Sequence, residues 1–324
     1  MKINKITILI CVMALFQISL HAQEKKIKFN KGVLKICSSK NFQISGYDGN
    51  EVIIKSLHDS DKGTSWARTI SSKGFTTKSA TGLARVTSDS VASSPKVFYY
   101  FADQNRKEGL KKLGKKYENE ELGIYFIIEQ KNGELIFKDK EAKSGSYVMY
   151  SGERYEVKVP NSVMINWTTG NCNEVKTNSQ NQVTTTKKSV FFYDSNPSSI
   201  TNFTGEVEIS STLSNIKLTD VTGPVTINTI GGNVTVEFKN KKPQKLYSIY
   251  SNNGFIDIEI PSGSTISADV TGKSVYSDVD FKVIEEVEEN DFGHLKTKMK
   301  LKLGSGKVKM KLDAGYGNIY LRRK

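Results

Sequence analysis

The sequence predicts an all-β chain, a single-stranded parallel β-helix (solenoid) of short Gly-x-Val-x-Ile repeats with one mobile insertion. Three observations carry this. Between Phe203 and Phe238 one phrase occurs four times, as Gly205-Glu-Val-Glu-Ile, Asn215-Ile-Lys-Leu, Gly223-Pro-Val-Thr-Ile and Gly232-Asn-Val-Thr-Val. It returns as Gly254-Phe-Ile-Asp-Ile-Glu-Ile, Gly306-Lys-Val-Lys-Met-Lys-Leu and Gly317-Asn-Ile-Tyr-Leu. The starts at 205, 215, 223 and 232 leave room for one short strand and a turn each. Side chains alternate along a strand, so Val207, Ile209, Ile216, Leu218, Val225, Ile227, Val234 and Val236 share one face. Glu206, Glu208, Lys217, Thr226 and Thr235 take the other. A lone strand cannot bury its apolar stripe, whereas strands wound into a coil and stacked about 4.8 Å apart can. A β-sandwich of short hairpins is the competing architecture. Pro224 fits a strand start, where its missing N–H is tolerated.

Residues 1–22 have the layout of a secretory signal peptide. Met1 to Lys5 is basic, Ile6 to Leu20 is apolar, and His21-Ala22-Gln23 offers a small residue for cleavage. The apolar run is short of the roughly 20 residues a membrane span needs. Cys11 lies mid-run, the wrong place for a lipoprotein cysteine. The expectation is an exported chain, in the periplasm or on the outer surface of a Gram-negative bacterium, with no membrane span after cleavage.

Residues 23–165 read as an N-terminal β region. Lys26–Asn30 and Val33–Cys37 flank a turn at Lys31-Gly32. Phe42–Ser45 leads into a turn at Gly46–Asn50, and Glu51–Lys55 follows. The run Val52-Ile53-Ile54 suggests burial on both faces. Residues 58–94 are rich in Ser, Thr and Lys, with only Trp66, Ile70, Phe75, Leu83 and Val86 as scattered anchors. Such a segment buries too little to offset its ordering entropy, so it is expected to be a mobile insertion. Val97–Phe101 is an aromatic strand and Lys107–Lys116 a basic link. Ile124–Ile128 and Glu134–Phe137 form a hairpin about Asn132-Gly133, which supplies the positive φ angles of a tight turn. Tyr155–Pro160 and Val163–Trp167 are further strands.

Residues 166–324 hold the repeats, continuous with the first region. A Thr/Asn/Gln-rich stretch (174–187) and Val190–Tyr193 precede them. Gly254–Pro261 and Thr265–Val270 continue the pattern. Glu285, Glu286, Glu288, Glu289 and Asp291 read as an acidic, solvated loop. They lack the Gly-Gly-x-Gly-x-Asp pattern of calcium-binding β-rolls and the spacing of an EF-hand.

The candidate functional residues follow that loop. Strict alternation puts Lys296, Lys298, Lys300 and Lys302 on one face, with Lys307, Lys309 and Lys311 alongside if Gly304-Ser-Gly306 closes a hairpin. Lysines protect an open strand edge against unwanted pairing. They also make a positive stripe for an acidic glycan or a lipopolysaccharide surface. The formal charge of +13, or +11 without Lys2 and Lys5, favours anionic partners in the same way. Cys37 and Cys172 are either a disulfide, which export permits, or two buried thiols. There is no Cys-x-x-Cys and no Cys/His cluster, so neither a zinc site nor a cofactor is expected. Nucleic acid is discounted, since no recognition helix, RNP motif or zinc knuckle is present.

Several stretches together resemble one family. They are Ile44-Ser-Gly-Tyr-Asp-Gly-Asn-Glu-Val-Ile-Ile, Tyr155-Glu-Val-Lys-Val-Pro160, the Gly-x-Val-x-Ile ladder, and the ending Gly306-Lys-Val-Lys-Met-Lys-Leu-Asp-Ala-Gly-Tyr-Gly-Asn-Ile-Tyr-Leu. In order and ending the chain is similar to the DUF4097-type exported putative adhesins, related to the DUF2807 head domains. The resemblance implies a right-handed parallel β-helix stack and surface attachment, and brings no catalytic residues. The insertion at 58–94 departs from the family pattern.

Three functions are carried forward. The first is a non-enzymatic envelope or surface protein that binds an anionic glycan, lipopolysaccharide or another envelope protein. The second is a carbohydrate-active β-helix enzyme, a lyase or hydrolase, recruiting Asp257, Asp269, Asp278 and Asp280. Hydrolysis needs two carboxylates roughly 5–10 Å apart. The third is a periplasmic structural or signalling component.

Overall fold

The computed structural model describes residues 24–38, 40–57, 119, 122–139, 154–169, 175–177, 183–185, 197–212, 214–291 and 294–324. The expected leader (1–22), the insertion (58–94), the strands at 97–101 and 190–193, the basic link (107–116) and Cys172 lie outside them.

Before the insertion come β1 (Glu24–Lys28), β2 (Gly32–Cys37), β3 (Asn41–Tyr47) and β4 (Glu51–Ser56). β5 (Phe126–Lys131), β6 (Glu134–Asp139), β7 (Arg154–Pro160) and β8 (Val163–Thr168) follow. β9 (Val175–Thr177) and β10 (Val183–Thr185) pair with each other. The repeats supply β11 (Ser198–Thr201), β12 (Val207–Thr212), β13 (Ile216–Thr219), β14 (Val225–Ile230) and β15 (Val234–Glu237). Next are β16 (Tyr247–Asn252), β17 (Ile256–Ile260), β18 (Ile266–Gly272) and β19 (Ser274–Ser277). Last come β20 (Lys282–Asp291), β21 (His294–Leu303), β22 (Val308–Asp313) and β23 (Asn318–Arg323).

The chain is all-β, and two large mixed sheets enclose its core. The first sheet has the order β1-β4-β7-β3-β11-β13-β15-β17-β23-β19; the second runs β20-β21-β18-β22-β16-β14-β12-β8-β2-β6-β5. Neighbouring phrases do not lie side by side. Each strand pairs in parallel with the one two phrases on, so Val207 faces Val225 in one sheet and Ile216 faces Val234 in the other. The single apolar face expected from the repeats is therefore two faces, one from each sheet, closing on a shared core. Parallel neighbours cannot be joined by a tight turn. Crossing to the opposite sheet satisfies that constraint and buries both stripes.

Followed from the same end, the parallel strands of the two sheets run in step: β6 with β7, β2 with β3, β8 with β11, and so on to β22 with β23 and β18 with β19. Sequence order breaks twice. β2 and β3 lie between the β6/β7 and β8/β11 pairs, and β22 and β23 lie between the β16/β17 and β18/β19 pairs. Antiparallel strands finish the ends: β4 and β1 beyond β7, β5 beyond β6, and β21 and β20 beyond β18.

The glycine that opens a phrase has a steric cause. A Cβ on Gly223 would sit 1.9 Å from the carbonyl oxygen of Gly205; on Gly254, 2.0 Å from that of Gly232; and on Gly317, 1.9 Å from that of Gly254. Each of these carbonyls opens the phrase whose strand is the parallel neighbour. Asparagines tie other corners: the Asn233 N–H donates to Asn215 Oδ1 at 3.1 Å, and the Phe255 N–H donates to Asn233 Oδ1 at 3.1 Å.

Towards the N-terminal end the core is aromatic. Phe42 packs against Phe126, Tyr155 and Trp167 with ring centres 5.5, 5.7 and 5.9 Å away. Val52 and Ile54 are buried while Ile53 is only half-buried, so β4 buries one face rather than both. β4 lies near the end of its sheet, where its second face has less cover. The β5–β6 hairpin turns at Asn132 and Gly133, whose φ angles are 53° and 79°. Cys37 is disulfide-bonded; Cys172, its candidate partner, is not among the described residues.

Candidate functional site

The lysine face is built by three adjacent strands of the second sheet. In β21, alternation turns Leu301 into the core, with Met299 and Leu303 packed beside it, and sends the lysines outward. In β22, Val308, Met310 and Leu312 are buried while Lys309 and Lys311 are exposed. The two stripes are not hairpin partners, contrary to the expectation from Gly304-Ser-Gly306. β18 lies between them, antiparallel to β21 and parallel to β22. Val308 thereby pairs with Ile266, and both apolar faces reach the core.

The run 285–291 is likewise not a loop. It forms β20, an antiparallel partner of β21 with a bulge between Val283 and Glu285. Its carboxylates, expected to be solvated, meet the lysines of β21. Lys300 Nζ bonds Glu285 at 2.5 Å, and Lys298 Nζ bonds Glu289 at 2.6 Å. The hydrogen bond and then the charge of Glu285 raise the Lys300 pKa above its ordinary value. Lys296 Nζ lies 4.3 Å above the centre of the Tyr316 ring, a cation–π contact.

The remaining four, Lys302, Lys307, Lys309 and Lys311, are exposed and form no ion pair among the described residues. Register lines Lys302 up with Ser267 on β18 and then Lys309 on β22. On its other side Lys302 is opposite Lys282 of β20. Three cations thus occupy one row across four strands, broken only by a serine. The next row alternates in sign, Glu285, Lys300, Asp269 and Lys311. Lys282 is a member the sequence did not reveal, because it opens a stretch that reads as loop. Neighbouring strands are about 4.8 Å apart. Like charges at that spacing in water repel by only about 1 kcal/mol, so the row is tolerated while its potential favours anions.

The aspartates considered for catalysis do not form one constellation. Asp257 accepts from Arg322 Nε at 2.8 and 3.0 Å, and this contact raises the Arg322 pKa. Asp280 pairs with Arg323 at 2.5 Å, and Asp278 accepts the Arg323 backbone N–H at 2.5 Å. These three belong to the end of the first sheet. Asp269 belongs to the mixed-charge row on the second.

No protein-family profile matches the chain. No curated protein matches it either. Among solved structures it is similar to one described as a "putative cell adhesion protein" from Clostridium sporogenes ATCC 15579. The TM-score is 0.36 at 9% identity, over 93% of this chain and 99% of that one.

Among the described residues, no group of three or more His, Cys, Asp or Glu side chains could hold a metal ion. Among the same residues, no helix is long and apolar enough to cross a membrane.

Proposed function

We propose that this chain is an exported, non-enzymatic envelope or cell-surface protein of the DUF4097 adhesin type. Its parallel strands form a flattened two-sheet β-solenoid. Its role is to hold an anionic surface polymer against the row Lys282–Lys302–Lys309, with Lys307 and Lys311 beside it. The observation that supports this most is the partition of the lysines. Those next to acids are neutralised, while the row beside them stays exposed and lacks carboxylate partners. A polymer fits better than a small anion because the cations form an open row that crosses four strands. The sheet fixes the backbone spacing of the lysines, so only their side chains need be ordered on binding. Asp257 and Asp280 are occupied in ion pairs with Arg322 and Arg323 and Asp269 belongs to the other sheet, which favours binding over hydrolysis.

Uronic-acid glycans and lipopolysaccharide phosphates share the required chemistry, repeated anions on a flexible backbone. Binding to polygalacturonate, to lipopolysaccharide vesicles and to neutral dextran separates them. The full chain should bind at least one of the anionic materials and ignore dextran. The Lys302→Glu/Lys309→Glu variant should lose about tenfold or more in affinity, the scale of two contacts of roughly 1 kcal/mol each. Binding that survives this reversal unchanged would overturn the assignment.

A further inference from the structure

β20 closes the second sheet with an edge unlike an ordinary one. It is ten residues long, where exposed edges are usually kept short. One side pairs with β21; among the described residues no strand takes the other. Every residue from Lys282 to Asn290 is exposed, including Val283 (49%), Ile284 (54%) and Val287 (43%). The β20–β21 hairpin extends the second sheet beyond β18, with β20 outermost.

Its charges are sorted by face. Glu285 and Glu289 turn to the lysines of β21. Glu286 and Glu288 lie on the opposite face and form no ion pair among the described residues. Val287 stands between them on the lysine side, opposite Lys298. The free edge therefore presents acid, apolar, acid at successive positions. A second copy of β20 would set carboxylate against carboxylate, which destabilises a cross-strand pair. The pattern repels itself and accepts its complement, a cation, an apolar residue and a cation in extended conformation.

We propose that β20 is a docking edge for an extended cationic segment of a partner protein, which adds to the second sheet as a further strand. Backbone hydrogen bonds along the edge supply affinity. Cations opposite Glu286 and Glu288, with an apolar residue opposite Val287, supply register. This does not rest on the polymer-binding reading: it uses the backbone edge with Glu286 and Glu288, and shares with the lysine row only Lys282 at the start of β20.

The test is fluorescence anisotropy with the full chain and three labelled peptides matching β20 in length. One alternates Lys and Val, one alternates Glu and Val, and one is the Lys/Val peptide N-methylated at alternate residues. The Lys/Val peptide should bind, and the other two should bind at least about tenfold more weakly. Glu286→Lys/Glu288→Lys should weaken Lys/Val binding by a similar factor, while Lys309→Glu leaves it unchanged. Exposed substitutions of this kind leave stability nearly intact, which far-UV circular dichroism checks. If the double variant fails to fold, the peptide series on the unaltered chain still decides. Absence of Lys/Val binding would overturn the proposal, and so would equal binding of the N-methylated peptide. A concentration-dependent doubling of mass abolished by Val287→Pro would overturn it too, by showing that the edge takes a second copy.

Discussion

Gly254 shows how a residue can be legible in type and hidden in cause. The sequence marks it as the turn that opens a phrase. The structure puts the Gly232 carbonyl oxygen 2.0 Å from where its Cβ would be, a contact with the start of the parallel neighbouring strand. No local pattern encodes that approach. Gly254→Ala should destabilise by about 1–3 kcal/mol, as overpacking does. The urea midpoint should fall with an unchanged m-value. Tyr247 gives a second residue-level test. Its buried hydroxyl donates to the Val221 carbonyl, and burial first, then the Asp220 carboxylate, hold its pKa above the ordinary tyrosine value of 10.0. The folded state therefore keeps its proton more tightly than the unfolded chain. Its contribution is complete below pH 10.0 and is lost as pH rises from there towards the folded pKa. Tyr247→Phe should be less stable at neutral pH by about 1 kcal/mol. Its stability should also decline more shallowly than that of the unaltered chain above pH 10.0, measured by urea unfolding across pH.

Among elements, alternation was the readable signal, and it located most repeat strands closely. It failed at β20, where five acids within seven residues suggest solvation and Ile284 breaks the period of two. What makes a strand there is β21, whose lysines turn a repulsive acidic run into ion pairs. The turn at Gly304-Ser-Gly306 misled for a related reason. Its composition suits a hairpin, yet β18 occupies the place between the two lysine strands. Of the five proposed contact residues, four come from three strands and Lys307 immediately precedes β22; all but Lys282 were visible as lysines without their arrangement. The pairing predicts unequal roles. Lys300→Ala should bind anionic polymer much like the unaltered chain, because Glu285 already holds that charge. Lys309→Ala should bind several-fold more weakly in the same assay.

For the whole molecule, repetition predicted the all-β class, but the order of strands in the sheets was out of reach. Every phrase carries the same apolar pattern, so nothing local says which neighbour a strand takes. The C-terminal phrases show the consequence: β22 enters between β16 and β18, and β23 between β17 and β19. The last strands are internal members of both sheets rather than an end cap. Removing residues 305–324 should therefore abolish cooperative unfolding, monitored by circular dichroism during urea titration. A sharp, near-native transition in the truncated chain would contradict that topology.

Salt dependence reports on the lysine row, because a polymer held by a row of lysines releases its counterions on binding. Affinity for the anionic material should be measured from low to physiological ionic strength for the unaltered chain and for Lys282→Ala/Lys302→Ala/Lys309→Ala. The logarithm of affinity should fall steeply with the logarithm of salt for the unaltered chain. The triple variant should bind more weakly with a slope shallower by about two to three, close to one counterion per lysine removed. Equal affinities and equal slopes would show that the row takes no part in binding.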